Sequence, residues 1–218
     1  MVTKEDEKAY RKDSIAVGVE LMLVIFYAVS AVIGYRNYLV YLPALVGCVI
    51  TLCTNKRVIW IGVALLFSAL GDYAGMQHNF YLQVAFFALG HLSYILFFSR
   101  CFSFSKKRLA FVLLVVAEFV ALALVVLPRV NHLMEFVFVV MYMIVIASMG
   151  VMSVLNNYTA RYMLIIASQL FIISDSLIAV SRFVTHIPNA GFWILLTYYM
   201  AQGLFFWSAL RISGKKKQ

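Results

Sequence analysis

The sequence predicts an all-α fold, an integral membrane helical bundle with about eight transmembrane helices and both termini in the cytoplasm. Hydrophobic residues make up 64% of the chain and charged residues only 12%, which leaves too few polar groups to cover a water-soluble domain. The apolar runs are long enough to cross a hydrocarbon core about 30 Å thick, which takes roughly 20 helical residues. Because these runs are too continuous for the strands of a barrel, helices are the structure that satisfies their backbone in lipid.

Eight apolar segments are separated by short polar breaks. The predicted spans lie near 14–35, 38–54, 57–75, 79–99, 109–127, 133–155, 161–181 and 190–211. The second span is short and contains Pro43, which a helix tolerates in its first turn. The prediction is therefore a single integral membrane domain over residues 1–218, with a polar N-terminus at 1–13 and a basic tail at 212–218. With so little chain outside the bilayer, any chemistry is expected within the bundle or at its mouth.

Lysine and arginine are distributed unevenly between the two sides of the predicted bundle. If both termini and the breaks after the second, fourth and sixth spans share one side, that side carries fifteen of these residues and the other only Arg36, Arg129 and Arg182. The positive-inside rule assigns the richer side, and with it both termini, to the cytoplasm. The net charge of +9 then follows from topology, and no nucleic-acid partner is predicted. The short tails favour a bacterial inner membrane over an endoplasmic reticulum membrane, and the oligomeric state stays open.

Two aspartates lie inside predicted spans, where ionisable side chains are rare. Asp72 lies 15 residues from the cytoplasmic start of its span at Arg57, and Asp175 lies 14 residues from the start of its span at Arg161. At 1.5 Å per residue, both are about 22 Å along their helices, in the outer half of the membrane. Because a carboxylate at membrane depth is costly, each aspartate is predicted to be functional.

Small or polar residues accompany both aspartates on helical stripes. The stripe of the third span consists of Ser68, Gly71, Asp72 and Gly75. Because small residues allow helices to approach closely, this stripe is predicted to face the bundle and to carry Asp72 inward. In the seventh span Ser168, Asp175 and Arg182 recur seven residues apart. If Asp175 has a purely structural role, Arg182 is its predicted ion-pair partner.

The fourth and eighth spans also present polar residues on one face. These residues are Gln83, His91 and Tyr94, which share their face with Phe87, and Tyr198 and Gln202, with Tyr199 beside them. Histidine and tyrosine can offer hydrogen-bond donors and acceptors to a cavity. The alternative for His91 is a hydrogen bond between helices with no role in chemistry.

Four segments, taken together and in order, resemble the signature segments of the YhhN-like lysoplasmalogenases, a family of multi-pass membrane vinyl-ether hydrolases. They are ALLFSALGD at 64–72, FFALGHLSY at 86–94, FIISDSL at 171–177 and TYYMAQ at 197–202. The resemblance spans nearly the whole chain. A departure at 73–75, where Tyr-Ala-Gly replaces bulkier apolar residues, leaves the head-group preference open.

The resemblance implies a hydrolase that cleaves lysoplasmalogens into a fatty aldehyde and glycerophosphoethanolamine or glycerophosphocholine. It implies Asp72 and Asp175 as the catalytic pair, without a metal or cofactor. The predicted substrate-binding residues are Ser68, His91, Tyr94, Ser174, Tyr198, Tyr199 and Gln202. The predicted partners are the lysophospholipid substrate and the lipid bilayer.

This chemistry suits two carboxyl groups in an apolar setting. Vinyl-ether hydrolysis begins with protonation of an alkene carbon, and water then captures the resulting oxocarbenium ion. A buried carboxyl group favours its neutral form, especially beside a second carboxylate, and can donate that proton. The other carboxylate can stabilise the cation and direct the water, as in glycosidases. The sequence leaves open which aspartate has which role.

Two other functions remain compatible with the residues. A proton-coupled transporter or carrier of a lipid or small amphiphile would also use carboxylates in the membrane, although no span carries the central Gly-Pro break found in many carriers. A metal-dependent hydrolase could use His78, His132 and His186, which lie on the predicted outer side. These histidines lie in separate loops and lack the paired spacing of a metal motif.

Overall fold

The computed structural model describes residues 18, 40–54 and 56–214, and this part of the chain folds into seven α-helices. The helices are α1 (Leu42–Thr54), α2 (Ile59–Met76), α3 (Phe80–Ser99), α4 (Leu109–Val126), α5 (Leu133–Val154), α6 (Arg161–Phe183) and α7 (Ala190–Gly214). They match the last seven predicted spans, and α7 extends a few residues further than expected. The described chain thus has seven helices rather than the predicted eight, because the first predicted span, 14–35, lies outside the described residues apart from Gly18.

Within the described part of the chain, five helical segments are long and apolar enough to cross a membrane. They are Lys56–Met76, Phe80–Ser99, Lys106–Arg129, Leu133–Val154 and Arg161–Phe183. Helix α1 is apolar but has only 13 residues. Helix α7 has 25 residues, and its central turns contain Thr197, Tyr198, Tyr199 and Gln202, which make it more polar. Large apolar side chains remain exposed along the outer faces of the helices, as expected where lipid is the solvent.

The helices form a ring with one helix outside it. Around the ring, α1 packs on α2, α2 on α3, α3 on α5, α5 on α6, α6 on α7, and α7 closes the circle on α1. Helix α4 lies outside, mainly against α5 and to a lesser extent against α6, and is the least buried of the five long apolar segments. Helices α2 and α6, which carry the two aspartates, therefore face each other across the interior of the ring.

Aromatic side chains fill the ring toward the end that holds Ser99 and Arg161. The rings of Tyr94 and Phe205 are stacked with their centroids 3.9 Å apart, and Phe171 packs against both. All three side chains are at most 1% exposed. This layer fills the interior of the ring at the level of Tyr94 and Phe171.

Close contact between α2 and α3 depends on Gly71 and Gly75. A Cβ atom at Gly71 would lie 2.8 Å from the ring of Phe87, and one at Gly75 would lie 2.7 Å from the amide nitrogen of Gln83. Neither distance is tolerated by real Cβ atoms. The small stripe of the sequence thus allows two α3 side chains to lie directly against α2, beside Asp72.

We expect Gly71→Ala to destabilise the protein by about 1–3 kcal/mol, because the added methyl group must displace the buried Phe87 ring. The matched control is Gly203→Ala, since a Cβ atom at Gly203 would have no atom of the described residues within 4 Å. Thermal denaturation in detergent should show a lower midpoint for Gly71→Ala only. Equal midpoints for the two variants would show that this contact does not hold α2 and α3 together.

Candidate functional site

Asp72 is anchored to α7 by a hydrogen bond. The Tyr198 hydroxyl donates to Asp72 Oδ2 at 2.8 Å. Asp72 is 6% exposed and Tyr198 5%, so the bond is shielded from the surroundings. The Tyr198 ring is held in turn by edge contacts with Phe87 and Phe171. Helices α2, α3, α6 and α7 thus fix the position of this carboxyl group.

Asp175 belongs to a cluster of three polar side chains from α3, α5 and α6. The Tyr142 hydroxyl donates to Asp175 Oδ2 at 2.6 Å, and His91 Nε2 lies 2.8 Å from Tyr142 Oη and 3.3 Å from Asp175 Oδ2. His91 is 2% exposed. Because both contacts to Asp175 involve Oδ2, they fix the orientation of the carboxyl group. We call Asp175, Tyr142 and His91 the Asp175 cluster.

One cavity, of about 270 Å³, brings the two aspartates together. We call it the carboxylate cavity. Its polar lining residues are Asp72, Gln83, Ser174, Asp175 and Tyr198. The rest of its wall is apolar or glycine. A reacting group in this cavity would therefore have a carboxyl group from α2 and another from α6 available to it.

A second, mostly apolar pocket adjoins the carboxylate cavity between α3, α4, α5 and α6. Both are lined by Gln83, Phe87, Asp175 and Ile178, so they meet beside Asp175. The pocket contains Arg182 toward the end of α6 and reaches Ile172, one turn deeper than Asp175, along the same helix. We call it the apolar pocket, and its shape suits a hydrocarbon chain that passes the Asp175 carboxyl group.

Besides Asp72, four of the predicted site residues lie at the carboxylate cavity or in the Asp175 cluster. Asp175, Ser174 and Tyr198 line the carboxylate cavity, and His91 contacts Asp175. The Ser174 hydroxyl donates to the Ile194 carbonyl at 3.1 Å and so ties α6 to α7. The polar residues that the sequence selected on α6, α7 and α3 thus converge here.

The structure does not bring Ser68, Tyr94, Tyr199 or Gln202 to the lining of the carboxylate cavity. Ser68 is buried where α2 crosses α3, and the Tyr199 hydroxyl donates to the Val40 carbonyl at 2.8 Å. The Tyr94 hydroxyl and the Gln202 amide are buried without a hydrogen-bond partner among the described residues. These four residues surround the site rather than line it.

Tyr142 is the site residue that the sequence analysis missed. It makes the shortest hydrogen bond to Asp175, at 2.6 Å. A signal was available, because Tyr142 follows Glu135 by seven residues, as Arg182 follows Asp175. Two antiparallel helices with the same polar spacing can pair both sets of residues at matching levels.

The predicted ion pair between Asp175 and Arg182 is wrong. Arg182 Nη2 lies 2.7 Å from Glu135 Oε1 on the neighbouring helix. Seven residues correspond to about 10.5 Å along a helix, whereas adjacent antiparallel helices place Arg182 and Glu135 at the same level. The side-chain partners of Asp175 are therefore Tyr142 and His91 rather than Arg182. No three His, Cys, Asp or Glu side chains of the described residues lie close enough together to hold a metal ion.

The fold and site define a multi-pass helical membrane protein with two carboxyl groups at one internal cavity. A family model described as the YhhN family matches residues 37–209. The chain belongs to this family, the family of lysoplasmalogenases. The match covers all seven described helices except the end of α7. Comparison with curated proteins and with solved structures gives no match.

Proposed function

We propose that the protein is a lysoplasmalogenase, which hydrolyses the vinyl-ether bond of alkenyl glycerophosphoethanolamine or glycerophosphocholine. The observation that carries this proposal is that Asp72 and Asp175, from opposite sides of the ring, line one cavity that adjoins an apolar pocket at Asp175. Membership of the YhhN family supports the same reaction. The reaction needs a proton donor, a stabilised cation and a water molecule, and no electron transfer.

In the proposed mechanism Asp72 is the acid and Asp175 is the ionised carboxylate. Asp72 is the more buried, and Tyr198 is its hydrogen-bond donor. Asp175 accepts a hydrogen bond from Tyr142 and also contacts His91. Because Asp72 is the more buried and has one hydrogen-bond partner, whereas Asp175 contacts both Tyr142 and His91, we assign the acid role to Asp72.

Four proton transfers return both carboxyl groups to their starting protonation states. Asp72 protonates the alkene carbon that is not bonded to oxygen, and the positive charge spreads over the adjacent carbon and the ether oxygen. Asp175 removes a proton from water as the water oxygen bonds to that carbon, giving a hemiacetal. Asp175 then protonates the ether oxygen, and Asp72 accepts the hemiacetal proton as the carbon–oxygen bond breaks. The products are an aldehyde and an alcohol, and one water is consumed.

The two cavities suggest how the substrate lies. The alkenyl chain occupies the apolar pocket, whose lining is an environment as apolar as the lipid that the chain leaves. The vinyl-ether group lies where the pocket meets the carboxylate cavity, beside Asp175 and Phe87. The chain then leaves the pocket toward lipid, and the glycerol unit points toward the end of α6.

The test of this function is aldehyde release by purified protein in detergent, with the reaction run in heavy water and the aldehyde trapped as an oxime. We expect alkenyl substrates to yield an aldehyde that carries one deuterium at the carbon next to the aldehyde carbon. The reason is that the carboxyl proton of Asp72 exchanges with the solvent before it is transferred to the alkene. The matched control is the 1-O-alkyl lysolipid, whose saturated ether should yield no aldehyde. Folded protein that releases no aldehyde from either head-group class would refute the proposal. Transfer of intact lysolipid across proteoliposomes would then support a carrier instead.

A further inference from the structure

An ion pair lies at the mouth of the apolar pocket, on the side of the ring opposite the aromatic layer. It joins Arg182 at the end of α6 to Glu135 in the first turn of α5, with 2.7 Å between Arg182 Nη2 and Glu135 Oε1. The two side chains are 42% and 18% exposed. Arg182 also lines the pocket itself, and its guanidinium lies 4.0 Å above the centre of the Phe80 ring. The Arg182 side chain thus reaches both the lining of the apolar pocket and the surface of the described bundle.

We infer that Arg182 and Glu135 form the binding site for a zwitterionic phosphoethanolamine or phosphocholine head group, with the phosphate on Arg182 and the ammonium group on Glu135. This inference rests on the proposed function and adds the residues that select its substrate class. The guanidinium fork suits a phosphate group, to which it can donate two parallel hydrogen bonds. A carboxylate suits the ammonium group that lies beyond the phosphate in such lipids.

The spacing along the helices fits one lysolipid molecule. Arg182 follows Asp175 by seven residues on α6, and Glu135 precedes Tyr142 by seven on α5, so the ion pair lies about 10.5 Å along the helix axes from the Asp175 cluster. In a lysoplasmalogen the glycerol unit separates the vinyl ether from the phosphate. An extended glycerol unit, together with the length of the Arg182 side chain, spans this separation when the vinyl ether lies beside Asp175.

The charges also favour exchange of the ion pair for the ligand. The ion pair is partly exposed, with Arg182 at 42% and Glu135 at 18%, and ion pairs at a protein surface contribute little to stability, so little is lost when it opens. A zwitterion replaces each partner with a group of the same sign, the phosphate in place of the Glu135 carboxylate and the ammonium in place of the Arg182 guanidinium. A lipid with a phosphate but no amine would place an unbalanced negative charge beside Glu135, and this repulsion gives selectivity.

The test measures binding of lipids that cannot be hydrolysed, so that it does not depend on catalysis. The probes are 1-O-alkyl glycerophosphoethanolamine, 1-O-alkyl glycerophosphate, which lacks the amine, 1-O-alkylglycerol, which also lacks the phosphate, and glycerophosphoethanolamine without a chain. Arg182→Gln should weaken binding of the two phosphate-bearing lipids about tenfold and leave the alkylglycerol unchanged. Glu135→Gln should weaken binding of the ethanolamine lipid and strengthen binding of the alkyl glycerophosphate. Chain-free glycerophosphoethanolamine should compete only weakly, which identifies a lipid head group as the ligand.

The matched control is Arg129→Gln. Arg129 is an exposed arginine in the connection before α5 and hydrogen-bonds to the Val125 carbonyl, but it does not line the apolar pocket. Its replacement should leave every affinity unchanged. Equal weakening of alkylglycerol binding by Arg182→Gln, or an unchanged affinity for the phosphate-bearing lipids, would overturn the inference. If Arg182→Gln does not fold, Glu135→Gln alone decides through its opposite effects on the two phosphate lipids. Failure of the proposed reaction would show instead as wild-type protein that binds the ethanolamine lipid but releases no aldehyde from its alkenyl form.

Discussion

Asp72→Asn and Asp175→Asn should each lower the rate of aldehyde release by about a thousandfold, within the range that a positioned acid or base contributes. The amide keeps the size of the side chain but can neither donate the proton to the alkene nor accept one from water. Both variants should retain the thermal midpoint of the wild type within a few degrees. The measurement is single-turnover aldehyde release by protein that elutes as one species in detergent.

The control for these variants is Glu118→Gln, a carboxyl group within α4 that lines neither cavity. It should retain wild-type activity, although it also removes a carboxyl group from the apolar part of the chain. The double variant of Asp72 and Asp175 should be no slower than either single variant, because groups that act in one mechanism are not additive. Recovery of activity in the double variant would instead indicate an interaction that only maintains the structure.

A cationic substrate analogue should distinguish the two aspartates, with an expected effect of about a hundredfold on its affinity. In this analogue a protonated amine replaces the carbon and ether oxygen that carry charge in the oxocarbenium ion. Asp175→Asn should weaken its binding by this factor, because the fixed carboxylate is lost. Asp72→Asn should change the affinity only a few-fold, because a neutral amide replaces a neutral acid.

The neutral 1-O-alkyl lysolipid is the control for the analogue, and neither variant should change its affinity greatly. Binding is measured by competition against a fluorescent lysolipid in the same detergent. If Asp72→Asn lowers the affinity for the cationic analogue more than Asp175→Asn does, the proposed roles of the two aspartates are reversed. Equal losses would indicate that the two carboxyl groups share the charge.

Helix positions were predictable from the sequence, but their arrangement was not. The predicted span 79–99 corresponds to α3, Phe80–Ser99, and 133–155 to α5, Leu133–Val154, because long apolar runs between charged breaks can only be helices in lipid. The position of α4 outside the ring was not predictable. In a membrane the outward face is as apolar as the inward one, so hydrophobic periodicity gives no signal for which helix is peripheral.

The candidate site was predictable to the extent that its residues are costly to bury. Asp72 and Asp175 were identified as candidate site residues because they are ionisable groups within apolar segments. The structure places both at one cavity. Tyr142 was missed because a single tyrosine among apolar residues does not stand out on its own helix. Its role depends on the register between α5 and α6, which also decides that Arg182 pairs with Glu135. The shared spacing of seven residues in the two helices permits this pairing but does not select it, so coordinates were needed to establish it.

The outside position of α4 gives the two products of the proposed reaction different ways out. Phe119 and Leu122 of α4 form one wall of the apolar pocket, and α4 is the least buried of the five long apolar segments in the described part of the chain. The aldehyde is hydrophobic and the glycerophospho-alcohol is hydrophilic, so one product partitions into lipid and the other into water. The aldehyde would pass sideways into the bilayer past α4, while the alcohol would leave past Arg182 into water. In the proposed reaction, the position of α4 outside the ring would thus separate the two products.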